Sequence, residues 1–221
     1  MNGIRYEAVL TGLTPLLMHQ DSIENADLLD AWRKHPDNKK KSKAGDDRSP
    51  AWTWKTYCYN DGKHITIPSD NLRAALLRAG MKIPQAKGRG SLKADAVADI
   101  VYDAMDYPLL IAGKPVSWPA VEAIDNKADF SEHVTAARGM GFDLFVKRAK
   151  IGQSKHIRVR PKFSAWSMRV TFEVFGDTLT DDTLTMLWDI AGARSGLGDW
   201  IPSAKTPGPY GRFSAAVKRI K

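Results

Sequence analysis

Two stretches that alternate strictly between apolar and polar residues, one near each end of the chain, constrain the fold most. A two-residue period is typical of a strand with one buried face. The apolar positions are Ile4, Tyr6, Ala8 and Leu10 in the first stretch, and Trp166, Met168, Val170, Phe172 and Val174 in the second. The chain is therefore expected to place a half-buried strand at residues 3–13 and another at 166–174.

Helical patterns follow at both ends of the chain. Asp70 is predicted to cap a helix that stops at Gly80, and Thr180 to begin a second helix. The apolar stripes are Leu72, Leu76 and Ala79 in the first helix, and Leu184, Leu187, Trp188 and Ala191 in the second. Residues 213–217 alternate again and indicate a last strand.

The order of these elements predicts the fold class. Strand, hairpin and helix near the start, and strand, helix, loop and strand near the end, suggest an α+β fold with a ferredoxin-like (RRM-like) core and a large central insertion. Residues 52–67 are expected to form a hairpin around Asn60-Asp61-Gly62. The polar, basic stretch at about 33–50 is expected to be a mobile insertion within a single domain, 1–221.

The charge of the chain points to a polyanionic partner. Lys and Arg number 33 against 25 Asp and Glu, a net charge of +8. The alternative is that the lysines only keep the protein soluble. A single cysteine, Cys58, excludes an internal disulfide, and no stretch approaches the ~20 apolar residues of a membrane span. We therefore expect a cytoplasmic protein with no membrane association and no cofactor.

The strongest anion-binding signal is the basic run Val146–Lys162, which contains no carboxylate. The positive charges of such a run repel one another unless an anion binds there. Contacts to phosphates would bind nucleic acid with little dependence on its sequence. The alternative is a solvated charged face. The candidate RNA-binding residues of the run are Lys147, Arg148, Lys150, Lys155, His156, Arg158, Arg160 and Lys162.

A glycine-rich loop, Gly196–Gly211, leads into the last strand. Glycines let backbone N–H groups approach a phosphate closely. The alternative is a turn that reverses the chain, with Trp200 and Tyr210 folded back on the core. The loop matches neither the P-loop nor the dinucleotide-binding pattern, so neither nucleotide hydrolysis nor dinucleotide binding is expected.

Catalytic and metal-binding patterns are weak. The five histidines are dispersed without metal-ligand spacing, so no metal site is predicted. His156, beside Lys155 and Arg158, could act as a general base on a ribose hydroxyl. A phosphate contact is the simpler role for it, and no catalytic residue is assigned.

Three stretches together resemble the RAMP superfamily of CRISPR-associated proteins, above all its Cas7-like backbone subunits. Members typically open with a strand ending in Thr-Pro-Leu, as Leu13-Thr14-Pro15-Leu16 does here. An Ile-Pro-Gly-Ser-Ser-Leu-Lys-Gly-type helix start follows, matched by Ile67-Pro-Ser-Asp-Asn-Leu-Arg-Ala74. They close with a glycine-rich loop before a final strand, here Gly208-Pro-Tyr-Gly-Arg-Phe213.

The resemblance implies roles for residues in these stretches. Ser69, Asn71 and Arg73 would lie where the helix start meets the RNA backbone. Gly208, Tyr210, Gly211 and Arg212 would belong to the supporting loop, and residues at about 95–162 would form a thumb-like insertion.

The function implied is a non-catalytic subunit of a CRISPR-type antiviral effector complex that binds single-stranded guide RNA. It would self-associate along the RNA, beside other effector subunits and a complementary target strand. Two alternatives remain open: a metal-independent repeat-RNA endoribonuclease of the same superfamily with His156 or His19 as base, and a single-stranded DNA-binding or annealing protein.

Overall fold

The computed structural model describes residues 3–41, 45–85, 90–151 and 154–221, and it is a mixed α/β structure with antiparallel sheets. Its strands are β1 (Ile4–Gly12), β2 (Leu16–Leu17), β3 (Thr66–Pro68), β4 (Ile100–Tyr102), β5 (Asp106–Pro108), β6 (Leu110–Ile111), β7 (Lys114–Pro115), β8 (Asp143–Ile151), β9 (Ser154–Phe163), β10 (Ser167–Val174) and β11 (Phe213–Arg219). Its α-helices are α1 (Ile23–Lys34), α2 (Ser69–Gly80), α3 (Lys93–Ala98), α4 (Trp118–Glu122), α5 (Phe130–Gly139) and α6 (Asp181–Ile190). Short 3₁₀ segments at Pro36–Asn38 and Ala51–Tyr57, and a π-helical turn at Ala191–Ser195, complete the described helical structure.

The chain divides into two compact units. The sheet unit comprises Met1–Leu16, Thr66–Val116 and Ser164–Lys221, and the hairpin unit comprises Leu17–Ile65 and Ser117–Phe163. Residues 95–116 of the predicted thumb-like insertion thus belong to the sheet unit, and residues 117–162 belong to the hairpin unit.

The sheet unit is built on the two alternating stretches, which pair with each other. β1 lies between β11 and β10, antiparallel to both, with Thr11 opposite Ser167 and Ile4 opposite Val174. β4 and β6 pair antiparallel with β10, and β7 pairs with β6. The predicted inward faces are confirmed in both strands, except that Ile4 is 43% exposed.

Two helices of the sheet unit begin in different ways. Thr180 caps α6 as predicted, because its Oγ1 accepts the Thr183 N–H at 3.3 Å. The prediction that Asp70 caps α2 is wrong: the capping position is Pro68, and the Ser69 N–H donates to the Met105 carbonyl at 2.7 Å. A backbone carbonyl thereby replaces the side-chain cap, and α2 ends at Gly80 as predicted.

The core of the sheet unit is aromatic. The Trp188 ring centroid lies 5.7 Å from that of Phe172 and 6.5 Å from that of Phe213, and Trp166 lies 6.3 Å from Phe213. All four rings are buried. Ring pairs at these separations add to the free energy of burial, so one aromatic cluster joins α6 to the sheet.

The hairpin unit is organised around β8 and β9, with Leu17 of β2 on the far side of β9. The prediction of a strand at residues 52–57 is wrong, because Ala51–Tyr57 form a 3₁₀ helix. Trp54 and Tyr57, three residues apart, share one face of that helix and are both buried. A bridge between Asn60 and Ile65 is the part of the predicted hairpin that forms.

The basic stretch at 33–50 ends in a segment that lies along β9. The Asp47 N–H donates to the Ile157 carbonyl at 2.9 Å, and the Ile157 N–H donates to the Gly45 carbonyl at 2.6 Å. Asp46 and Asp47 are buried, whereas residues 42–44, including Lys43, lie outside the described residues. Among the helices of the described residues, none is long and apolar enough to cross a membrane.

Candidate nucleic-acid interface

The basic run lies on the β8–β9 hairpin, and the register of the hairpin decides which side chains share a face. Residues directly opposite each other in antiparallel strands point to the same side. Lys147 is opposite Arg158, Phe145 is opposite Arg160, and Asp143 is opposite Lys162. We call this side the basic face, and its basic residues are Lys147, His156, Arg158, Arg160 and Lys162.

The other side of the hairpin is apolar near the base. Leu144 and Val159 oppose Pro161 and Val146, and Leu144, Val159 and Pro161 are buried. Arg148 lies on this side further along β8 and is exposed. The side chains of Lys150 and Lys155, which oppose each other near the turn, lie outside the described residues.

Arg158 is held by a buried carboxylate. Its Nη1 lies 3.3 Å from Asp47 Oδ1 and 3.3 Å from the Tyr57 hydroxyl, and the Asp47 Oδ2 also accepts the Val159 N–H at 3.3 Å. Burial, together with the Asp47 charge, raises the pKa of Tyr57 to about 12, so its hydroxyl stays protonated and donates to Asp47 at 3.1 Å. The charge of Arg158 is thus neutralised by Asp47, and this ion pair holds the segment 45–47 against β9.

His156 lies against the same segment. Gly45 has φ +73°, and a Cβ at this position would lie 2.5 Å from His156 Nδ1. Glycine is therefore required at residue 45 both for its backbone conformation and for its contact with the imidazole. His156 is half-buried beside this segment, at the position opposite Ala149.

In the sheet unit, the Thr-Pro stretch and the glycine-rich loop are hydrogen-bonded to each other. The Arg212 carbonyl accepts the N–H groups of Leu13 at 2.8 Å and Thr14 at 3.2 Å, and the Arg212 N–H donates to Thr14 Oγ1 at 2.9 Å. The Gly211 N–H donates to the Pro15 carbonyl at 2.8 Å. These bonds satisfy backbone groups that a turn would otherwise expose.

The glycines of the loop are required by close packing. Gly211 has φ +72°, and a Cβ there would collide with the Leu197 carbonyl oxygen. A Cβ on Gly208 would collide with the Trp200 carbonyl oxygen, and the Trp200 and Tyr210 rings pack 5.4 Å apart. The loop is therefore folded on itself, with Tyr210 half-buried and Arg212 exposed at its end.

The start of α2 belongs to the same unit. α2 packs against the π-helical turn Ala191–Ser195, which leads into the glycine-rich loop. Ser69 is buried, Asn71 is half-buried and Arg73 is exposed. The three stretches of the resemblance thus lie in one compact unit, and the basic face lies in the other.

Sequence reasoning missed Asp47 and Tyr57, which fix the position of Arg158. A usable signal was present: Asp46 and Asp47 follow Gly45 at the end of a basic stretch, and the run Val146–Lys162 lacks any carboxylate of its own. Charge complementarity between two distant segments would have suggested the pair.

Among the described residues, no cluster of three or more His, Cys, Asp or Glu side chains could hold a metal ion. In comparisons with known proteins, no protein-family model matches the chain, and no curated protein matches its sequence.

Proposed function

We propose that the protein binds single-stranded RNA without cleaving it, as a guide-RNA-binding subunit that assembles along the strand. The observation that carries this proposal is the basic face of the β8–β9 hairpin. Four basic residues from different positions of the run, Lys147, Arg158, Arg160 and Lys162, share one side of two paired strands there, with His156 on the same side.

The spacing on β9 suits an extended polyanion. His156, Arg158, Arg160 and Lys162 occupy every second residue, so neighbours lie roughly 7 Å apart along the strand. Successive phosphates of an extended single strand are separated by a similar distance. Contacts to phosphates release counterions, so binding should be tight at low salt and largely blind to sequence.

The topology of the sheet unit supports a ferredoxin-like core. β1, α2, β4, β10, α6 and β11 occur in this order along the chain, with other elements between them, and the strand order is β11-β1-β10-β4 with every pair antiparallel. This succession is that of the β-α-β-β-α-β motif. The resemblance of the three stretches, which lie together in this unit, favours the guide-RNA role.

The test measures binding of a fluorescent single-stranded RNA at rising salt. Each phosphate contact to a single strand contributes a slope of about −0.7 in log K against log salt. Replacing Lys147, Arg160 and Lys162 by Gln should weaken binding to unrelated sequences equally and reduce the slope by about 2. The matched control replaces Lys63, Lys82 and Lys114, three exposed lysines elsewhere, by Gln.

The control changes the net charge by the same amount and should leave the slope within experimental error. Equal effects of the two triple variants, or binding that ignores salt, would contradict the proposal. Competition with DNA of the same sequence distinguishes the single-stranded DNA-binding alternative. Cleavage of the RNA in a chelating buffer would favour the endoribonuclease.

A further inference from the structure

The hairpin unit contains a cavity of about 1040 Å³. Its walls come from α1, the 3₁₀ segment Ala51–Tyr57, and α4 with the residues after it. Ligand-binding cavities typically enclose ~300–1,000 Å³, so this one is large enough for a small organic group. Among the described residues of the basic run, none lines it.

Three tryptophans line the cavity: Trp32 on α1, Trp52 on the 3₁₀ segment and Trp118 at the start of α4. All three are half-buried, whereas Trp54, from the same 3₁₀ segment, is fully buried. Half-buried indoles in the wall of a cavity offer flat apolar surface on which another planar group can stack. The aromatic lining therefore favours a planar ligand.

The charges of the described lining residues balance. Three lysines, at positions 41, 55 and 127, are matched there by three acids, Glu24, Asp37 and Glu122. The Lys55 ammonium is already bound by the Ile124 carbonyl at 2.5 Å and the Asn126 Oδ1 at 2.9 Å. The cavity therefore does not resemble a phosphate site, and a neutral ligand suits it better.

Amide side chains supply hydrogen-bonding groups of fixed orientation. Asn25 Nδ2 donates to the Thr56 carbonyl at 3.2 Å, and Asn60 Oδ1 accepts the Gly62 N–H at 3.1 Å. Among the hydrogen bonds of the described residues, none engages Asn25 Oδ1 or Asn60 Nδ2. One acceptor and one donor therefore remain for a ligand, and amides pair well with the edges of nucleobases.

The wall formed by α1 is lightly packed. None of its residues is buried, and Leu28, which lines the cavity, is 59% exposed. Asn25 holds the start of the helix to Thr56, and Asn38 Nδ2 holds its end through the Trp32 carbonyl at 3.1 Å. A wall held mainly by hydrogen bonds can shift to admit a ligand at little cost in buried apolar area.

We propose that this cavity binds a nucleobase, unstacked from the single strand that the protein holds. The base stacks on the tryptophans and forms hydrogen bonds to the amide groups through its edge, while the basic face binds phosphates of the strand. The inference rests on the proposed function, because it takes the base from a bound strand. The base stays attached to its strand, and no covalent bond changes when it unstacks.

The experiment uses nucleosides, which carry no phosphate, and single-stranded RNA in parallel. Adenosine, guanosine, cytidine and uridine are titrated separately while tryptophan fluorescence is followed, and at least one should give saturable quenching. Trp52→Leu and Trp118→Leu should each abolish most of that signal change and weaken RNA binding roughly 10-fold, with the salt slope unchanged. Trp118→Phe, which keeps an aromatic ring, should retain most of the RNA affinity.

The Gln triple variant at Lys147, Arg160 and Lys162 provides the reciprocal control. It should reduce the salt slope and leave nucleoside binding unchanged. Circular dichroism melts of each tryptophan variant establish whether it is folded. If a Leu variant does not fold, the proposal is tested with Trp118→Phe instead.

The outcomes separate the two proposals. If no nucleoside binds and the tryptophan variants bind RNA as the wild type does, the cavity proposal fails while the proposed function stands. If RNA does not bind even at low salt, the proposed function fails. Nucleoside binding without RNA binding would overturn both the proposed function and the assignment of the base to a strand.

Discussion

The two units bury different kinds of polar side chain. Among the described residues, the buried polar side chains of the sheet unit are the hydroxyls of Thr66, Ser69 and Ser195. Those of the hairpin unit include the titratable groups Asp46, Asp47, Lys55 and His133. The hairpin unit, unlike the sheet unit, thus combines its apolar core with buried charges and hydrogen bonds.

Several buried polar atoms of the hairpin unit have specific partners, although the buried Nε2 of His133 has none among the described residues. Lys55 donates to backbone and amide oxygens beyond α4, and His133 Nδ1 accepts the Trp54 indole N–H at 3.1 Å. Asp47 accepts from Tyr57, Arg158 and the Val159 backbone. Burying a charge carries a desolvation penalty that such partners offset, so removing one partner is expected to cost more than the pair itself contributes to stability.

The two units should therefore respond to different perturbations. Loss of apolar volume should weaken the sheet unit, whereas loss of a charge partner or a change of pH should weaken the hairpin unit. Amide hydrogen exchange reports the backbone groups of each unit separately, so it can test the comparison directly.

The largest effect is expected from Phe172→Ala in the sheet unit. Phe172 is fully buried between Tyr6 and Trp188, and removing such a ring costs about 4 kcal/mol of unfolding free energy. Exchange should accelerate at the amides of β1 and β10. The control Val101→Ala, on edge strand β4 at a side chain 49% exposed, should cost below about 1 kcal/mol. A similar loss in both variants would mean that the aromatic cluster does not dominate this unit.

A somewhat smaller effect is expected from Asp47→Ala in the hairpin unit. The change leaves Arg158, Tyr57 and the Val159 N–H without their shared acceptor, and breaking a buried pair of this kind costs about 3 kcal/mol. Faster exchange is expected at the β9 amides of Ile157 and Val159.

Asp27→Ala, at an exposed position of α1, is the matched control and should change stability by less than about 0.5 kcal/mol. If the amides of β9 exchange equally fast in both variants, the segment at Gly45–Asp47 does not depend on Asp47.

The smallest effect concerns pH. Burial lowers the pKa of His133 below its ordinary value of 6.5, so the unfolded chain takes up the proton first as the pH falls. The unfolding free energy of the hairpin unit should therefore be highest above about pH 6.5 and should decrease as the pH falls below that value. His133→Gln keeps an acceptor for the Trp54 indole and should flatten the decline.

The sheet unit should be nearly flat between pH 7 and 5.5. A hydrogen bond from Lys218 lowers the pKa of Glu7, and hydrogen bonds from Tyr6 and Arg219 lower that of Asp181, so both stay ionised in this range. The pH dependence is measured by denaturant titrations at several pH values, with amide exchange as the readout for each unit. An equal decline in both units would contradict the assignment of the pH dependence to His133.

The sheet unit could largely be predicted from its sequence, because apolar alternation reports directly which side of a strand is buried. Tyr6, Ala8 and Leu10 point inward as expected, and so does the stripe of α6. The start of α2 was mispredicted because its cap is a carbonyl, that of Met105, far along the chain. A cap supplied by distant backbone leaves no local signal.

The hairpin unit was less predictable, because its contacts join charged residues that are distant in sequence. Tyr57 and Asp47 meet Arg158 only after β9 is in place, and the aromatic residues of 52–57 fit a 3₁₀ helix as well as a strand. The basic character of 146–162 was plain from the sequence. Which of its cations share a face depends on the register of β8 and β9, which composition does not reveal.

The position of β1 has a consequence for the order in which the chain can fold. Its neighbours on both sides, β10 and β11, lie more than 150 residues later, so neither of its hydrogen-bonded edges can be filled until they have been synthesised. At ~5–20 residues per second, translation of the intervening chain takes roughly 10–30 s. The strands β8 and β9, by contrast, are adjacent in sequence and can pair as soon as both have been synthesised. β1 thus leaves the ribosome well before either of its partner strands, and its apolar face must remain unaggregated throughout that interval.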